Sequence, residues 1–231
     1  MSRPRAVATS VVERRLRPGV FRELAASRVL GSSWVLGILL AALTWRVSFV
    51  APLGMDPSWW AGVFMAAHRG MHFGTQLIFT YGPLGFLGLP WLWYDDLAVI
   101  AFVFQALLFI ALSVSLVFVL RRVLIPPLAL LVAFLVLSFA QVMDLPVALA
   151  AIWCLAALSK PPPRFAGRVV IFGGALLGAT ETLIEFRPGP VILLMCAITL
   201  IGQSRWRRDL PLFLASALAA TARCGSAPAR A

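Results

Sequence analysis

The residues from Leu97 to Leu120 read LAVIAFVFQALLFIALSVSLVFVL, without one charge, and Arg121-Arg122 closes the run. As a helix it is about 36 Å long, enough to cross a roughly 30 Å hydrocarbon core with tilt. In a soluble domain such a run needs cover on every side. The remaining chain cannot supply it, because 61% of the 231 residues are hydrophobic and 13% are charged. Lipid is therefore the expected solvent for much of the surface.

Further apolar runs flank this one. The first spans Trp34 to Val50, interrupted by Arg46 near its far end, where a long side chain reaches the interface. A third runs from Pro126 to near Asp144 and a fourth from Leu145 to Leu158, before Lys160-Pro-Pro-Pro. A fifth covers Val169 to Ile184, a sixth Pro190 to Gly202, and Leu210 to Ala222 starts a seventh. The pattern predicts an all-α polytopic bundle of six to seven spans. The fourth and sixth reach only about 21 Å as helices, which predicts a depression in the protein surface.

The formal charge of +11 does not indicate nucleic acid, because it comes in short clusters between apolar runs. Arg3, Arg5, Arg14, Arg15, Arg17, Arg22 and Arg28 precede the first run, and Arg121 and Arg122 follow the second. Lys160, Arg164 and Arg168 separate the fourth and fifth, and Arg205, Arg207 and Arg208 follow the sixth. Alternating spans put all of these on one side, with Asp56, Asp95, Asp96, Asp144 and Glu185 opposite. The positive-inside rule makes the basic side cytoplasmic. The preference for Arg over Lys suits a GC-rich bacterial genome, hence a multi-pass inner-membrane protein with a cytoplasmic N-terminus. The long basic stretch before the first run is unlike a cleavable signal peptide. Cys154, Cys196 and Cys224 show no ligand or disulfide spacing.

Residues 1–30 read as a basic cytoplasmic extension, 31–222 as the membrane region with an outer loop at 52–96, and 223–231 as a disordered tail. That tail follows an incomplete seventh run abruptly, which predicts a truncated or frameshifted chain.

The outer loop carries most of the chemistry. Asp56-Pro57 predicts a helix start, Asp capping the free amides and Pro in the first helical position. Trp59, Trp60, Val63, Phe64 and Ala67 then fall on one side, predicting an amphipathic helix on the outer membrane surface. A capping Asp is held ionised by its amide bonds, the form a general base or a divalent metal site needs. His68 and His72 are split by Gly70 and lack a clear third ligand, so contact with lipid headgroups outweighs a zinc site. Thr80-Tyr81-Gly82-Pro83-Leu84-Gly85 predicts a rigid turn, with the Tyr81 hydroxyl as a polar handle for an acceptor. Trp91, Trp93 and Tyr94 form an interfacial belt before Asp95 or Asp96 caps the long span.

Two further acidic positions face the same side. Asp144 marks a hairpin turn or supplies a second carboxylate. The string ETLIEFRPG holds Glu181, Glu185 and Arg187, and Glu181 falls inside the fifth run. An acid at membrane depth costs roughly 2–3.5 kcal/mol, so it faces protein or water. Arg187 is its expected structural partner.

One span followed by a long outer loop with an early Asp, and the string DPSWW…FTYGPLGFL, resembles the GT-C superfamily of membrane glycosyltransferases over about residues 30 to 210. The resemblance implies a polyprenyl-phosphate sugar as donor, an acceptor on the outer face, Asp56 and Asp144 as catalytic carboxylates, and only the N-terminal part of such an enzyme. Tyr81, Arg69, Glu181, Glu185 and Arg187 are then the candidate substrate contacts, with Arg suited to the carrier phosphate. The adjacent acidic pair usual in that superfamily is replaced here by Asp56-Pro57. A transporter or a non-enzymatic membrane subunit is the alternative.

Overall fold

The computed structural model describes residues 32–45, 47–51, 55–71, 76, 81–160, 162–163, 165–203 and 205–225. Eight helices organise them: α1 (Ser33–Thr44), α2 (Met55–His68), α3 (Asp95–Val123), α4 (Pro126–Phe139), α5 (Leu145–Leu158), α6 (Ala166–Ile184), α7 (Pro188–Ile201) and α8 (Trp206–Gly225). Short 3-10 turns at Gly85–Gly88 and Val142–Asp144 precede α3 and α5. Among the described residues there is no strand beyond one isolated antiparallel bridge, Tyr81 to Glu185.

Among the described residues only α3, with 29 residues, and α6, with 19, are long and apolar enough to cross a membrane. The pair α4 and α5, bent by 114° around the Val142–Asp144 turn, gives a third span if counted as one. Six to seven spans are therefore not supported. The apolar segments exist where periodicity put them, but α1 stops after 12 residues and α7 after 14. The first run leaves the helix at Trp45 because the chain turns to pair elsewhere: the Leu92 amide donates to the Phe49 carbonyl at 3.0 Å. Trp45 and Phe49 meanwhile pack on Phe102 of α3, with ring centroids 5.4 and 5.0 Å away. α8 carries Arg207, Arg208 and Asp209 in its first turn and Pro211 in its interior, and it does not qualify as a span. It continues through 223–225, where a disordered tail was expected; residues 226–231 lie outside the described set, as do 1–31.

Small residues set how closely the helices approach. A side-chain carbon at Gly37 of α1 would come within 2.6 Å of the Val114 Cα in α3. Gly174 and Gly178, four apart on α6, meet Cys196 and Leu193 of α7 in the same way. Such contacts replace the hydrophobic drive that helices lack inside lipid. The outside is apolar too, with Val99, Val103 and Leu107 of α3 and Leu131, Phe134 and Leu135 of α4 exposed. The first part of α6 contains a wide π turn, Val169–Gly173, closed by the Gly174 amide donating to the Val169 carbonyl.

The charges separate to two ends. Arg121 Nη1 donates to Ser33 Oγ at 3.5 Å, the Phe118 ring sits 5.3 Å from Phe165, and Gly167 faces the Gln203 side chain. The start of α1, the end of α3, the start of α6 and the end of α7 thus share a basic end. The opposite end holds Asp144, Glu181 and Glu185, together with α2 and the 81–90 segment.

Candidate functional site

A helix leaves its last four carbonyls without intrahelical partners. At the end of α6 the 81–90 segment supplies two of them. The Gly82 amide donates to the Ile184 carbonyl at 3.0 Å and the Leu84 amide to the Leu183 carbonyl at 3.1 Å. A side-chain carbon at Gly82 would collide with the Leu183 carbonyl, so glycine is required for this approach. Three residues on, Gly85 lies against Val63, and Gly88 lies against the Trp60 ring, a carbon there meeting it at 2.8 Å. The Tyr81-Gly82-Pro83 turn is thus the clamp that docks α2 onto the end of α6.

The α2 helix is built differently from the surface helix expected. Trp60, Val63, Phe64 and Ala66 are buried, while Trp59 is 57% exposed and Ala67 is only half-buried. The buried face packs on protein: Trp60 lies 4.2 Å from the Tyr81 ring and 6.2 Å from Trp91, and Phe64 is edge-on to Phe86. His68 stacks on Tyr94 at 4.0 Å. The helix begins at Met55, so Asp56 sits inside the first turn rather than capping it from outside; its side chain lies outside the described residues. Asp95 and Asp96 likewise occupy the first turn of α3, with Tyr94 at the cap. Acids in either place complement the helix dipole.

Beneath this clamp lies a cavity of about 20 Å³, walled by Trp60, Gly88, Gln105, Glu181, Glu185 and Met143 among others. That is room for a single water. Glu181 is 4% exposed and Glu185 9%. Gln105 Nε2 donates to the Leu87 and Gly88 carbonyls at 2.8 and 3.0 Å, which fixes the amide and leaves its buried Oε1 without a partner. Arg187 pairs with Glu185, not with Glu181 as expected: Nε donates to Oε1 at 2.8 Å and Nη2 lies 2.6 Å from the same oxygen. That hydrogen bond, with the carboxylate's charge, holds the exposed guanidinium still more firmly protonated. Among the described residues no cation lies within ion-pair distance of Glu181.

The structure therefore joins Tyr81, Glu181, Glu185 and Arg187 at one place. Asp144 is exposed at its edge, on the turn that contributes Val142 and Met143 to the cavity wall. Asp56 enters through the backbone of α2, one helical turn before Trp60. Arg69 lies beyond the far end of that helix, about 13 Å along the axis from Trp60, and is not on the wall. His72 falls outside the described residues, and among those described no three His, Cys, Asp or Glu side chains are placed to hold a metal. Sequence reasoning missed Gln105. Its signal was available: it is the single amide in the uncharged run from Leu97 to Leu120.

No family model, curated protein or solved structure matches this chain.

Proposed function

We propose that this chain is a multi-pass protein of a bacterial inner membrane and acts in sugar transfer at its acidic end, in the manner of the GT-C superfamily. The supporting observation is convergence. The segments bearing Asp56, Tyr81, Asp144 and the Glu181–Arg187 string are far apart in sequence, yet they meet around one small cavity whose wall includes Gln105, Glu181 and Glu185. In this reading the basic end is cytoplasmic and the acidic end faces the outer side. The short α7 and the bent pair α4–α5 are then the floor of a depression into which a carrier lipid's headgroup descends.

The transfer has a simple balance. An acceptor hydroxyl oxygen attacks the anomeric carbon, and the bond from that carbon to the carrier phosphate breaks. Polyprenyl phosphate leaves with the electron pair, and the hydroxyl proton passes to a carboxylate. Asp56 is the base, Asp144 a second carboxylate at the rim, and Arg187 the phosphate contact. Glu185 holds Arg187 in place, and Tyr81 and Glu181 shape the acceptor side.

The test uses the full chain in proteoliposomes with a labelled polyprenyl-phosphate sugar. Asp56→Asn should lower transfer by roughly 10²–10⁴-fold, the usual weight of a general base, while the protein stays folded. Unchanged turnover removes Asp56 from the chemistry. The buried Glu181 beside the orphaned Gln105 oxygen favours a second reading, an ion-coupled transporter. Solute uptake that depends on Glu181, with no sugar transfer by any variant, would select it.

A further inference from the structure

At the basic end the helices do not close on one another. α1, α3, α5 and the start of α6 leave a cavity of about 620 Å³, well within the size range of pockets that hold small-molecule ligands. Its walls are hydrocarbon, from Ala111, Val114 and Phe118 of α3, Ile152 and Ala156 of α5, and Val169 of α6. The polar atoms inside satisfy each other, Trp153 Nε1 donating to Ser115 Oγ at 3.1 Å. The interior thus favours an apolar occupant over a polar one.

The mouth has the opposite character. Trp34 and Phe165 line the cavity and are 69% and 51% exposed. Two guanidinium groups hang beside lining residues: Arg121 reaches Ser33, and Arg122 lies 5.0 Å above the Phe118 ring. An apolar slot with a cationic rim is the complement of a phospholipid with an anionic headgroup. The basic segment preceding α1 is a poor occupant by charge, since its arginines would crowd the same rim.

We propose that this cavity takes an acyl chain of an anionic phospholipid, with the phosphate held at Arg121 and Arg122. The inference requires that the helices lie in a bilayer. It does not depend on sugar transfer, and it concerns the end of the bundle opposite Glu181.

The experiment uses the purified full chain with phosphatidylglycerol bearing a diazirine near the middle of one acyl chain. Phosphatidylglycerol and phosphatidylcholine with matched chains serve as competitors. Photolysis should place adducts on the stretches 111–119 and 152–156, and phosphatidylglycerol should compete roughly 30-fold better than phosphatidylcholine, in keeping with two surface charges. Arg121→Gln with Arg122→Gln should abolish that preference. Ala156→Phe, and separately Ala111→Phe, should lower the adduct yield at these stretches. Adducts confined to other helices would overturn the proposal without any variant. So would equal competition by the two lipids, or a rise in yield when residues 1–30 are removed, which would assign the cavity to that segment.

Discussion

The two ends of α3 and α6 are finished in contrasting ways. At the acidic end a loop closes the bundle, with Gly82 against the Leu183 carbonyl and Gly85 and Gly88 against the Val63 and Trp60 side chains, leaving about 20 Å³ around buried carboxylates. At the basic end the same helices are held by Phe118, Phe165 and Trp153, leaving about 620 Å³ of apolar space. Glycine lets main chains touch and so removes free volume, whereas large rings prop helices apart and enclose it. Polar chemistry needs the first kind of closure, because an acid buried against fixed dipoles must be held in place. Hydrocarbon binding needs the second.

The largest expected effect is all-or-none. In a chain lacking Cys154, Cys196 and Cys224, a cysteine at Phe186 should react with an impermeant thiol reagent in intact cells. A cysteine at Arg122 should react only after permeabilisation. Labelling of both from one side would erase the distinction between the ends.

Next in size are the glycine contacts. Gly82→Ala puts a carbon on the Leu183 carbonyl, and Gly189→Ala puts one on the Thr182 backbone. Each should cost about 2–3 kcal/mol in thermal or denaturant unfolding, the scale of overpacking against groups that cannot move. Gly173→Ala near the basic end meets the Trp153 ring first, at 3.0 Å, beside open space. It should cost less than about 1 kcal/mol, because the ring can yield. Equal costs at Gly82 and Gly173 would mean that the two ends are equally rigid.

A smaller change separates geometry from charge at the acidic end. Gln105→Leu removes the orphaned oxygen but also strips both donors from the Leu87 and Gly88 carbonyls. A loss of about 1–2 kcal/mol in the same unfolding assay should follow, as for buried carbonyls left unpaired. A more stable Leu variant would show that the amide serves function at the expense of the fold.

The least effect belongs to Gly62 of α2, exposed with nothing near its missing side chain. Gly62→Ala should raise stability by roughly 0.5–1 kcal/mol, the ordinary helix preference. A loss instead would show that this face of α2 meets another surface.

Much of the fold was readable from apolar periodicity. The fourth run matches α5 residue for residue at Leu145–Leu158, and the Pro126 start of α4 follows from a proline that fits the first turn. The span count was not readable, because it depends on continuity. A bend of 114° at the Val142–Asp144 turn leaves composition unchanged but separates two crossings from one broken crossing. The first helix ends short of Val50 because Trp45 and Phe49, apolar enough to extend it, are placed instead by Leu92 and Phe102 from elsewhere in the chain. At the site, the acidic clusters stood out as charges in apolar surroundings. The Tyr81–Glu185 pairing did not, since it joins backbone groups about a hundred positions apart and has no local signature. The choice of Glu185 over Glu181 as the partner of Arg187 follows from where α6 ends, a detail that spacing alone does not settle.

A helix has a phase as well as a length, and the wide turn at Val169–Gly173 resets it. That turn takes up one residue more than an α turn, so everything beyond it is displaced in sequence relative to the face it occupies. If the same residues wound as uniform α-helix, Glu181 would swing by about 100° around the axis relative to the first turn of α6. Deleting one residue from the wide turn would instead close it and leave Glu181 on its present face. The azimuth of the buried acid is thus written into a segment more than two turns away, next to the apolar cavity at the other end of the same helix.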